Sequence, residues 1–69
     1  MKKNGHKKMH RLRAWRVDHG FSQQALAVRL GIHQVSISRY ESGALPSLSH
    51  RQAIREVTGI APSWWDAAG

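Results

Sequence analysis

The sequence predicts a small all-α domain of four to five short helices. Its 69 residues are enough for one domain with a modest core. Apolar residues recur at intervals of three and four in several short segments, the spacing that places side chains on one face of a helix. Glycine follows most of these segments where a helix would end. We therefore expect one helical domain with tight turns.

The charge of the chain is concentrated at its start. Eleven Lys and Arg residues against four Asp and Glu residues give a formal net charge of +7. Seven of the eleven cations lie within residues 1–16, which contain no acid, and the rest of the chain is neutral. A basic segment on a neutral body predicts a polyanion partner: DNA, RNA or an anionic membrane surface. A solubilising tail is the alternative.

Composition argues against several classes of protein. There is no cysteine, so neither a disulfide nor a cysteine-based zinc site can supplement the core. No apolar run reaches the ~18 residues of a membrane span. The first lysines are not followed by an apolar segment or a small-residue cleavage site, so we expect no secretory signal. The i, i+4 pair His6 and His10 has no third ligand nearby, so we expect solvated side chains rather than a metal site. We expect no cofactor and no enzymatic activity.

The first helix follows a basic start. Residues 1–6 have no apolar periodicity, and we predict that they are disordered. From about residue 7 to residue 18, Met9, Leu12 and Trp15 recur at every third position among basic residues. This spacing predicts an amphipathic helix.

Two further helices are predicted on either side of a glycine. Ser22 is suited to cap a helix over residues 22–30, and Gly31 is suited to end it. A third helix is predicted over residues 34–42. Its apolar alternation would also fit a strand in isolation, but the helices around it favour a helix.

The last predicted elements are a fourth helix and a tail. Ser47 can cap the fourth helix, which runs to about residue 57 and ends the domain of residues 7–60. Its inward residues are predicted to be Leu48, Ala53, Ile54 and Val57. The tail, residues 61–69, contains a short helical turn with Trp64 and Trp65. We expect one ring to close the core and the other to take part in a homodimer contact.

The second and third helices are predicted to form one unit. Helices of about nine residues are not stable alone, so these two must pack closely against each other. Ala27 provides a small side chain at their crossing, and Gly31 provides the turn. This arrangement is a helix-turn-helix, whose second helix is free to enter the major groove of DNA.

The resemblance to a known family rests on an extended pattern. It reads Leu12-x-x-Trp15-Arg16-x-x-x-Gly20-Phe21-Ser22-Gln23-x-x-Leu26-Ala27-x-x-Leu30-Gly31-Ile32-x-Gln34-x-Ser36-Ile37-Ser38-Arg39-Tyr40-Glu41-x-Gly43. The pattern resembles the phage repressor/Cro family of helix-turn-helix proteins, the xenobiotic-response-element-like domains. Departures are Ala25, where the family often has an acid, and Arg51 and Arg55, where it often has apolar residues. The resemblance implies a lambda-repressor-like fold.

Three residues of the third helix are candidates for reading DNA bases. The amide of Gln34 can pair with adenine, or it is simply solvated. Val35 can contact a thymine methyl group, or it is partly buried in the helix-turn-helix core. Arg39 can pair with guanine or reach a phosphate.

A larger set of polar residues is assigned to phosphate contacts, with ordinary surface or capping roles as the alternative. These residues are Gln23, His33, Ser36, Ser38, Ser42, Lys7, Lys8 and Arg11. Gln23 resembles the family residue that binds a phosphate and braces the glutamine corresponding to Gln34. The resemblance also implies an ion pair between Arg16 and Glu41, which joins the first helix to the third.

The function implied by the resemblance is sequence-specific binding of double-stranded DNA by a Cro-like repressor. Such a protein would act in a bacterial cytoplasm, encoded by the bacterium or a phage, as a homodimer on a pseudo-palindromic operator. The alternative is an antitoxin-type module that binds a protein through Trp64 and Trp65 and also binds its own promoter. Binding of RNA or membranes by the basic helix would leave the helix-turn-helix pattern unexplained.

Overall fold

Five helices follow one another along the chain. The computed structural model describes residues 10–68, and the helices are α1 Arg11–Asp18, α2 Gln23–Leu30, α3 Gln34–Glu41, α4 Leu48–Thr58 and α5 Trp64–Ala68. Within these residues there is no strand, and the prediction of a small all-α domain is confirmed. The predicted disordered start, residues 1–6, and the lysines at positions 7 and 8 lie outside the described residues.

Side-chain caps set where the helices begin. The Oγ atoms of Ser22 and Ser47 accept hydrogen bonds from backbone N–H groups of the first turns of α2 and α4. His10 caps α1 through Nδ1, which accepts from the N–H of Leu12 at 3.0 Å. Consequently α1 begins at Arg11 rather than near residue 7. Ser22, which the sequence-based bounds include in the second helix, lies outside it as a cap.

The turn between α2 and α3 depends on a left-handed glycine. Gly31 has φ +70°, a conformation that costs an ordinary residue roughly 1–2 kcal/mol. This conformation lets the N–H of Ile32 donate to the carbonyl of Ala27 at 3.0 Å, which ends α2. Because Ala27 is buried and small, α3 can pack directly against α2.

The core is one cluster to which every helix contributes. Its buried members are Leu12, Leu26, Ala27, Leu30, Ile32, Ile37, Tyr40, Ile54, Ile60 and Trp65. The shared core therefore holds together helices that are individually too short to be stable.

None of the helices in residues 10–68 is long and apolar enough to cross a membrane.

The C-terminal tryptophans close the core from the side of α1. Trp65 is only 1% exposed, and the neighbouring Trp64 is half-buried. The ring of His10 lies 5.2 Å from both indoles, and the guanidinium of Arg11 lies 5.7 Å from the ring of Trp64. Trp65 cannot contribute to the expected homodimer contact, because its side chain is occupied inside its own chain.

One predicted core residue of α4 is exposed. Ala53, Ile54 and Val57 face inward as expected, but Leu48 is 66% exposed. It precedes Ile54 by six positions, which at 100° per residue places it well away from the buried stripe. The prediction that Leu48 faces inward is therefore wrong.

An arginine replaces apolar packing at the C-terminal end of the fold. Arg51 donates to the carbonyl of Pro46 at 3.0 Å, to that of Pro62 at 3.3 Å and to the carboxylate of Asp66 at 3.0 Å. These contacts tie the loop before α4 to the segment that carries α5. Arg55 is exposed.

An ion pair joins α1 to the end of α3. Arg16 Nε lies 2.6 Å from Glu41 Oε2, and Arg16 Nη2 lies 3.0 Å from Glu41 Oε1. A third guanidinium nitrogen donates to the carbonyl of Phe21 at 3.0 Å. The side chains of Arg16 and Glu41 are 13% and 5% exposed. The pair thus connects α1 to the C-terminal end of α3.

Replacing Arg16 by Met is expected to destabilise the fold strongly. The substitution leaves the carboxylate of Glu41 in a nearly buried position without its cation, which costs about 3 kcal/mol. Urea unfolding followed by circular dichroism measures the loss. The double variant Arg16→Met/Glu41→Leu should recover much of it, since no charge is then left unpaired. A double variant as unstable as the single one would contradict this account.

Replacing His10 by Asn should make the stability less sensitive to acid. Burial lowers the pKa of His10 below its usual 6.5, although the charge of Glu41 opposes this. The folded protein therefore binds this proton less readily than the unfolded chain does. The neutral imidazole of His10 therefore stabilises the fold fully at a pH above the pKa that His10 has in the unfolded chain. This stabilisation is lost as the pH falls through the lower pKa of His10 in the folded protein.

Asparagine also caps helices but does not titrate, so the comparison isolates the imidazole. Free energies of unfolding measured between about pH 7 and pH 5 should fall more steeply for the wild type than for His10→Asn. Parallel curves for the two chains would refute the prediction.

Candidate nucleic-acid interface

The exposed side of α3 carries all three predicted base-reading residues and two of the predicted phosphate contacts. Burial of Ile37 and Tyr40 fixes the inner side of this helix. Exposed positions cluster on the opposite side, and they are Gln34, Val35, Ser38, Arg39 and Ser42. The three predicted base-reading residues therefore share one exposed face.

The exposure of Val35 argues against one of its two interpretations. Its side chain is 58% exposed, so partial burial in the helix-turn-helix core does not account for it. An exposed valine beside polar neighbours supplies an apolar contact of the kind that a thymine methyl group accepts.

A shallow surface groove connects α3 with the beginning of α2. It is lined by Gln23, His33, Gln34, Val35 and Ser38. Two of these residues were predicted to read bases and three to bind phosphate. The groove thus brings members of both sets together from α2, α3 and the residue that precedes α3.

Both helix N-termini at this groove present backbone donors. In α3, the N–H groups of Ser36 and Ile37 donate to the carbonyl of His33, whereas those of Gln34 and Val35 find no acceptor among residues 10–68 and the imidazole of His33 makes no cap bond. The first N–H groups of a helix have no acceptor within the helix, and they attract anions. Neither α2 nor α3 has an acid in its first turn. The groove is therefore suited to a phosphate.

The side chain of Gln23 makes a different contact from the one the resemblance implies. Its Nε2 donates to Glu41 Oε1 at 3.1 Å, and among residues 10–68 no hydrogen bond joins it to Gln34. A carboxylate is a stronger acceptor than an amide oxygen, which favours Glu41 as the partner. Sequence reasoning missed this contact, because the two residues are 18 positions apart and no short motif joins them.

The surroundings of Glu41 favour the ionised form of its carboxylate. Burial alone would raise its pKa, but hydrogen bonds from Arg16 and Gln23 and the charges of Arg16 and Arg13 outweigh burial and lower it. The hydrogen bond to Glu41 raises the pKa of Arg16 further above its usual range. The pair therefore stays ionised near neutral pH and adds no net charge to the interface.

Other predicted phosphate contacts lie elsewhere. Ser36 is half-buried, away from the exposed face of α3. Arg11 lies over the ring of Trp64, at the end of the domain that α5 closes. The lysines at positions 7 and 8 lie outside the described residues.

No metal site is found in the described part of the chain. Among residues 10–68 there is no group of three His, Asp or Glu side chains that could hold an ion. His10 caps α1 and packs against two indoles, and His6 lies outside the described residues. The exposed side chains of α3 offer hydrogen bonds, an apolar contact and the positive charge of Arg39.

The arrangement of α2 and α3 matches what recognition of duplex DNA requires. An amide, a methyl-rich side chain and a guanidinium project from one helix, and these groups can contact base edges in the major groove. Next to them, helix N-termini can hold the phosphate backbone.

Comparison with known proteins identifies this arrangement. A family model described as helix-turn-helix matches residues 12–65, more than half of the chain. Neither the comparison with curated proteins nor that with solved structures found a match. The matched residues include all of α1 except Arg11, the whole of α2 to α4 and the first two residues of α5. The chain therefore belongs to the Cro/C1-type helix-turn-helix family, a family of DNA-binding transcription regulators.

Proposed function

We propose that this protein is a sequence-specific repressor of the Cro type, which acts by occupying its operator and excluding polymerase. The observation that carries the proposal is the exposed face of α3. It presents Gln34, Val35 and Arg39 outward beside a groove suited to phosphate. Nothing in this mode of action requires an enzymatic step or a cofactor.

The base-reading roles divide along α3. Gln34, at the first position of the helix, pairs with adenine through its amide, and Val35 contacts a thymine methyl group. Arg39 lies one turn beyond Val35 and reaches a guanine or a phosphate of the same half-site. Exposure of all three side chains supports these assignments.

Phosphate contacts hold the protein in register. Gln23, His33 and Ser38 line the groove with the base-reading residues, and this supports their role in backbone binding. Ser42 continues the exposed face at the end of α3. The basic segment of residues 1–16 adds a contact that depends on charge rather than on sequence.

A homodimer is part of the proposal. One eight-residue recognition helix contacts few bases, so two copies on a pseudo-palindrome give the needed specificity. The two half-sites would then lie one helical turn, about 34 Å, apart. Of the two adjacent tryptophans, only Trp64 retains exposed surface for such a contact.

The antitoxin alternative receives less support. It relies on Trp64 and Trp65 to anchor a protein partner. Trp65 is buried in the core, and Trp64 packs against His10 and Arg11 of its own chain. Co-purification of a second small protein would nevertheless favour this alternative.

Selection of bound sites from random DNA duplexes tests the proposal as a whole. We expect a palindromic consensus with half-sites about one helical turn apart. The selection is carried out at two salt concentrations, and affinity should fall steeply as salt rises, because cations of the protein replace counterions on the phosphates. Binding without any consensus would refute the repressor role.

The role of Gln34 is tested by replacing it with Ala. The variant should lose about 1–3 kcal/mol of binding to the selected duplex and should tolerate any base at one position of each half-site. Affinities for the consensus and for duplexes changed at single positions measure both effects. The matched control is Gln52→Ala, on the exposed surface of α4, which should bind like the wild type. Equal weakening of Gln34→Ala on every sequence would exclude base reading.

A further inference from the structure

We infer that Glu41 is a positioning residue for DNA binding, because it holds the amide of Gln23 in the orientation that phosphate contact needs. This inference rests on the proposed function. It gives the ion pair of Glu41 with Arg16 a second role, beyond joining α1 to α3.

The contacts of Glu41 leave little freedom to its carboxylate. Arg16 occupies both oxygens, at 2.6 Å and 3.0 Å. Gln23 Nε2 shares Oε1 with the guanidinium, at 3.1 Å. The side chain of Glu41 is only 5% exposed, and these contacts hold it against Gln23 at the beginning of α2.

The chemistry of the carboxylate determines which way the amide turns. An ionised carboxylate only accepts hydrogen bonds, so the nitrogen of Gln23 must face it and the amide oxygen cannot. One N–H of Gln23 is thereby used, and the second remains for an acceptor in the groove. A phosphate oxygen is such an acceptor. The amide is therefore oriented before DNA arrives, which reduces the entropy lost on binding.

The guanidinium of Arg16 balances the negative charge that Glu41 would otherwise place near bound DNA. A carboxylate without a partner next to the groove would repel the phosphate backbone. The two-point contact with Arg16 neutralises it, while Oε1 still accepts from Gln23. A charged acceptor bonds the amide more strongly than a neutral one does, so the pair orients Gln23 without a net negative charge.

A double-mutant cycle separates this role from a purely structural one. The pair Arg16/Glu41 is replaced by Met/Leu, Gln23 is replaced by Ala, and the two changes are combined. Affinity for the selected duplex and the free energy of unfolding are measured for all four chains. The effect of replacing the ion pair on affinity is compared in two backgrounds, one with Gln23 and one with Ala at that position. If Glu41 acts through Gln23, the loss of affinity should be about threefold larger when Gln23 is present.

The matched control is Gln24, the neighbouring glutamine in α2, which makes no hydrogen bond to Glu41 among residues 10–68. The same cycle with Gln24→Ala should be additive. If the wild type binds its duplex but the effects of the two replacements in the Gln23 cycle are additive, this inference alone is overturned. A wild type without any preferred duplex would overturn the proposed function as well.

Nuclear magnetic resonance of the wild type provides a test that requires no variant to fold. One side-chain amide proton of Gln23 should exchange with water more slowly than those of Gln24, because it is bonded to Glu41. Equal exchange at the two glutamines would also overturn the inference, whatever the outcome of the binding experiments.

Discussion

The carboxylate of Glu41 is the contact on which the geometry of this domain depends. It accepts hydrogen bonds from Arg16 in α1 and from Gln23 at the start of α2, while its own backbone belongs to the end of α3. Three helices of eight residues each thus meet at one side chain. Helices of this length are not stable alone, and here a shared polar contact joins them beside the apolar core.

This constraint explains how a nearly neutral body can present a DNA-binding surface. With Ile37 and Tyr40 in the core and Glu41 held by Arg16, the opposite side of α3 remains exposed. That side carries groups able to distinguish bases, whereas the excess positive charge of the chain lies within residues 1–16. Under the proposed function, backbone binding by charge and the reading of bases thus belong to different parts of the molecule, which is how protein–DNA contacts generally divide.

The C-terminal end shows how a small chain without disulfides completes its core. Trp65 lies in the core beside the rings of Tyr40 and His10, and Trp64 packs against His10 at the start of α1. On the same side, Arg51 bonds two backbone carbonyls and Asp66 where apolar packing would be expected from the family resemblance. An aromatic ring and a hydrogen-bonded arginine thus do here what additional apolar side chains do in larger domains.

The sequence by itself indicated the order of the helices, the serine caps of α2 and α4 and the turn at Gly31, because spacing, capping and left-handed glycine are local properties. It also indicated the outward residues of α3, since the buried positions of a helix fix its exposed ones. Only the tertiary structure decided that Trp65 is buried, that Leu48 is exposed and that Gln23 bonds Glu41 rather than Gln34. These outcomes depend on which surfaces meet, and residues far apart in sequence leave no local pattern from which such a meeting can be inferred.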